Sequence, residues 1–170
     1  MESVRIVLFA TMAAIVYGVL HDLVTANLCV EYFTVAHPPV FPTRSPVLLA
    51  LGWGVIATWW VGLGLGIGLA LAARIGSAPK MKPAELRRPI VLLMIATGIA
   101  AVVSGAIGAA LAAAGFPAVP DPWPTLIPAD RLVAFSADAW AHMASYGIGA
   151  VGGLVIIVRT LRRRLATERG

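Results

Sequence analysis

The chain of 170 residues is 59% hydrophobic and only 12% charged, with a mean hydropathy of +0.88, which excludes an ordinary water-soluble domain. Its formal charge of +5 comes from basic residues gathered near span ends, where topology and anionic headgroups account for them without nucleic acid as a partner. One all-α integral membrane domain over residues 1–170 is expected, with no soluble catalytic module attached.

Four transmembrane helices are predicted, over about residues 6–26, 47–73, 89–115 and 134–158. Prolines mark the connections: Pro38, Pro39, Pro42 and Pro46 in the first, Pro79, Pro83 and Pro89 in the second, and Pro117 to Pro128 in the third. None is expected inside a span. Glycines on the last three helices, such as Gly54, Gly62, Gly105 and Gly152, allow close backbone approach, so a four-helix bundle follows. The GLGLGIG run from Gly62 to Gly68 lacks the strand and soluble helix of a nucleotide fingerprint and is assigned to packing. Trp53 and Trp140 fit an outer aromatic belt, Trp123 falls in a loop, and Trp59 and Trp60 lie deeper.

Arg5, the residues from Arg74 to Arg88 and the tail from Arg159 onward carry most of the basic charge on one side, leaving Arg44 and Arg131 opposite. Both termini are therefore expected in the cytoplasm, and the location is a bacterial inner membrane. The stretch from Arg5 to Ala26 also resembles a secretory signal, but a cut there would discard His21 and Asp22, so an uncleaved first helix is expected. The single cysteine, Cys29, forms no intrachain disulfide and reads as a buried small residue ahead of a soft ligand.

The segment HDLVTANLCVEYFTVAH, from His21 to His37, concentrates the chemistry. Charged and imidazole groups at the edge of a bilayer need a partner, a metal or an aqueous cavity. Counting from Arg5 and Arg159, His21 and His142 stand sixteen and seventeen residues up their helices, each about 24 to 26 Å from the basic side. The two histidines can share a layer, which Thr58 and Ser104 reach on the other spans. Asp138 and His142, spaced i,i+4, place carboxylate and imidazole on one face, as two metal ligands or as a proton-transfer pair.

His21, Glu31, His37, Asp138 and His142 are the candidate metal ligands. Asp22, about 100° around the helix from His21, is expected to orient a histidine or act as a catalytic base rather than ligate beside it. His37 reads equally as a loop histidine. Nitrogen and oxygen donors suit zinc first, then iron or manganese. HExxH and the paired Glu-x-x-His of di-iron bundles are absent. The alternative is a non-enzymatic protein in which the cluster fastens helices or senses protons or metal, and glycine-rich faces join a membrane-protein partner or a second copy. Small size and the lack of an inverted repeat count against a transporter.

The strings HDLVTANLCVEYFTVAHPP and LLALGWGVIATWWVGLGLG resemble uncharacterised small bacterial four-span membrane proteins with an HD, TA, C, EYF and HP pattern. The resemblance covers roughly residues 17 to 70 and implies membrane location with no activity to transfer.

Overall fold

The computed structural model describes residues 1–168, and these are helical with no strand among them. Helix α1 (Glu2–Leu28) is followed by a short α2 (Val30–Thr34), then α3 (Pro46–Ile56) and α4 (Trp59–Arg74). α5 (Pro83–Ala113), a four-residue α6 (Trp123–Leu126), a 3-10 turn (Ala129–Arg131) and α7 (Leu132–Glu168) complete the chain. Four segments are long and apolar enough to cross a membrane: Glu2–Leu28, Pro46–Arg74, Pro83–Ala113 and Ala129–Ala166.

The helices run past the predicted limits because helix continues where the apolar run stops. Pro83 opens α5, where a missing N–H costs nothing, and Glu85 accepts the Lys82 backbone N–H at 2.8 Å. Pro89 therefore lies inside a helix, against expectation, within its polar first turns. The second span is not one helix either. It breaks at Ala57 and Thr58, where the Thr58 hydroxyl donates to the Gly54 carbonyl and supplies the backbone with a competing partner.

α1 packs against α3 and α4, α5 packs against α7, and contacts of α1 with α5 and α4 with α7 close the bundle. α1 and α3 approach closely at the level of the site, where a Cβ on Gly54 would sit 2.6 Å from the backbone of Val19. On the outside of α1, Leu8, Met12, Val16, Leu20, Val24 and Leu28 recur every fourth residue and are 46% to 68% exposed. Asp22, Thr97, Ser136, Asp138, His142 and Ser145 are buried. Apolar outside and polar inside is the distribution a hydrocarbon solvent selects.

Arg164 closes the end of the bundle where α1 begins and the C-terminal part of α7 lies. Its guanidinium is buried and donates to the carbonyls of Ala72, Ile75, Ala78 and Pro79 at 2.7 to 3.0 Å, satisfying the end of α4 and the connection after it. Read in sequence as one of several topology-setting arginines, it is a structural staple. Trp53 also departs from expectation: it is 9% exposed and packs against Phe41 and His37 instead of standing in an outer belt. Trp123 begins α6 rather than lying in a plain loop.

Candidate metal centre

At the far end of the bundle from Arg164, α1 presents His21 and Asp22 toward α7, which presents His142. One ligand atom from each lies within 4.8 Å of the others. Asp22 Oδ1 stands 3.4 Å from His142 Nε2, with both side chains almost fully covered. The His21 and His142 rings meet edge to face with centroids 4.5 Å apart. His21 and Asp22 diverge around α1, yet they converge here because His142 arrives between their two directions.

The surroundings fix the tautomer of His142. Its Nδ1 lies 2.8 Å from the backbone carbonyl of Asp138, one turn earlier on α7. A carbonyl only accepts, so Nδ1 carries the proton and, in the neutral ring, the Nε2 lone pair faces Asp22. Tyr32 stacks on the same imidazole with ring centroids 4.3 Å apart. His21 is held by stacking on Tyr17, whose hydroxyl shares a hydrogen bond of 2.7 Å with Ser145. His21 Nε2 is buried and has no hydrogen-bond partner among the described residues.

The other three candidate ligands lie outside this triad. Glu31 is met by Arg131, with Nε to Oε2 at 3.2 Å, and accepts from the Cys29 thiol at 3.3 Å. Burial would raise its carboxyl, but its own backbone N–H, Cys29 and Arg131 outweigh that and hold it below the usual range. Glu31 is thereby a tie between α2 and the 3-10 turn that leads into α7. Cys29 is fully buried, and burial pushes its thiol up to about 11. The helix leaves α-geometry at Cys29, with φ −146° and ψ 92°, and this bend folds α2 over the bundle.

His37 donates Nδ1–H to the Tyr32 carbonyl at 2.8 Å, and its ring stacks on Phe33. Burial lowers its tendency to protonate. It lines the cavity beside the triad without belonging to the group. Asp138 shares a face with His142 but serves it through its backbone oxygen. No hydrogen bond joins the Asp138 carboxyl to the imidazole. That carboxyl is fully buried, has no partner among the described residues and borders a groove between α1, α5 and α7. Ser104, expected in the same layer, instead donates to the Trp140 carbonyl at 3.0 Å.

Sequence reasoning overlooked Tyr32, Phe33 and Arg131. The signal for Arg131 was its place on the otherwise base-poor side, which calls for an acid opposite, and Glu31 is that acid. Tyr32 and Phe33 could be found only by knowing that the chain bends at Cys29. Comparison with models of known protein families, with curated proteins and with solved structures finds no match.

Proposed function

We propose that this chain is a multi-pass protein of the bacterial inner membrane, with cytoplasmic termini, that binds a divalent transition-metal ion through His21, Asp22 and His142 and acts as a metal-dependent enzyme near the periplasmic face. One observation carries the reading: donor groups of His21, Asp22 and His142, from two helices, converge within 4.8 Å, and the buried Nε2 of His21 has no hydrogen-bond partner among the described residues. A buried Asp22 and His142 pair that only locked two helices together would leave that nitrogen desolvated and unsatisfied.

Zinc is the preferred ion. Two imidazoles and one carboxylate on a site with room for a further ligand are a donor set that zinc takes in catalytic centres. Two imidazoles and one carboxylate also match the facial set of non-haem iron, which makes iron the next candidate and manganese the last. Three protein ligands leave a position open, where the ion supplies Lewis acidity.

The chain's own groups do the rest. The Asp138 carbonyl fixes the His142 ring, Tyr17 backs His21, and Tyr32 and Phe33 exclude water from the outer side. The sidedness is supported by Arg5, Lys82 and Arg87, which border one groove, and by Arg164, which binds the neighbouring connection at the same end.

Cobalt(II) substitution tests the proposal. A visible spectrum of tetrahedral type that disappears in His142→Ala is the expected result. A weak octahedral spectrum would favour iron, and a spectrum unchanged by the substitution would refute the site.

A further inference from the structure

The triad forms part of the wall of a cavity of about 370 Å³, within the size range of roughly 300–1,000 Å³ typical of small-molecule sites. Its polar groups gather at the outer end, around His21, Asp22, His142 and the Tyr17 and Ser145 pair. Toward the basic end the wall turns apolar, with Ala14, Leu65 and Met94. The same three residues border a second, wholly apolar void of about 40 Å³ that extends the cavity between α1, α4, α5 and α7.

Access is lateral. Over the outer end, Tyr32 stacks on His142 and His37 packs against Trp53, closing the aqueous side. On the flank, Trp60 of α4 and Tyr146 of α7 line the cavity and are 59% and 49% exposed. Both belong to segments apolar enough to cross a membrane, so the mouth faces hydrocarbon. Among the described residues, no lysine or arginine lines the cavity. An anionic headgroup would have only the ion to meet it and would lie against the Asp22 carboxylate. Aromatic side chains at Tyr17, Phe33, Trp53, Trp60 and Tyr146 present ring surfaces around the space.

We infer that this cavity takes, from the lipid phase, an uncharged amphiphile with a flat, oxygen-bearing ring as head and an apolar tail, a molecule of the quinone class. The head enters between Trp60 and Tyr146 and sets its oxygen toward the triad, while the tail follows the apolar wall or trails into the bilayer. The inference rests on the proposed ion site only for what that oxygen meets.

Trp53 and Trp60 stand in the wall, so a bound quinone ring quenches their fluorescence. The full chain in nanodiscs is titrated with a short-chain alkyl benzoquinone, with and without prior stripping by chelator, and with an alkyl carboxylate of equal chain length as competitor. The expected result is saturable quenching in wild type that the carboxylate does not displace. It weakens at least about ten-fold in Ala150→Phe, which fills the mouth from an exposed position, and in Ala57→Leu on the opposite wall. Unsaturable quenching in wild type, equal quenching in both filled variants, or displacement by the carboxylate would overturn the inference. Saturable quenching in a protein that binds no metal would refute the ion site and leave the cavity assignment standing. Stoichiometric metal without saturable quenching would do the reverse.

Discussion

Asp22 on α1 and His142 on α7 face each other across 3.4 Å, nearly sealed from solvent, although 120 positions separate them in the chain. Asp22→Asn keeps the volume of the side chain and removes its charge. Zinc affinity, measured by competition with a chromophoric chelator, is expected to fall at least about 10- to 100-fold with helical content unchanged. Equal affinity in the variant would remove Asp22 from the ligand set.

Gly54 makes the approach of α1 to α3 possible at the height of the site, since a Cβ there would meet Val19 Cα at 2.6 Å. Gly54→Val is expected to cost about 1 to 3 kcal/mol by overpacking. Thermal unfolding in detergent measures the loss. Metal affinity should drop alongside it, because the shift moves His21 and Asp22.

Arg164 behaves oppositely. Arg164→Ala strands four carbonyls, two of them in buried hydrogen bonds, so a loss of about 1 to 3 kcal/mol is expected, and Arg164→Lys should not restore it because an ammonium cannot span them. The same denaturation series checks this, with zinc affinity unchanged at the far end of the bundle.

Cys29 should be inert. With its thiol pushed up to about 11 and fully buried, the thiolate fraction near pH 8 is about one in a thousand, so maleimide labelling should be slow. The Glu31 carboxyl is held down, so its tie to Arg131 contributes stability above the ordinary glutamate value of about 4.3. That contribution is lost as pH falls through the lower folded value. Arg131→Ala should loosen α2 at neutral pH and speed the labelling of Cys29. Unchanged labelling would show that the tie does not hold α2 down.

Apolar length and proline placement made the four spans legible, because both act locally along the chain. Depth counting brought His21 and His142 level, since rise per residue is the same in every helix. The break at Ala57 and Thr58 was not legible: no proline marks it, and a threonine hydroxyl bonding to its own helix does not show in a hydropathy pattern. Glu31 was drawn into the site by residue type, and Asp138 by its i,i+4 spacing from His142. Their placement depends on tertiary facts, the arginine opposite Glu31 and the groove between α1, α5 and α7 that the Asp138 side chain borders.

Metal content of the purified protein tests the central claim most directly. Wild type prepared without chelator is expected to carry about one zinc ion per chain, and the His21→Ala/His142→Ala double variant, with unchanged circular dichroism, is expected to carry none. A wild-type protein with no stoichiometric metal even after exposure to zinc, or a double variant that retains the same content, would contradict the account.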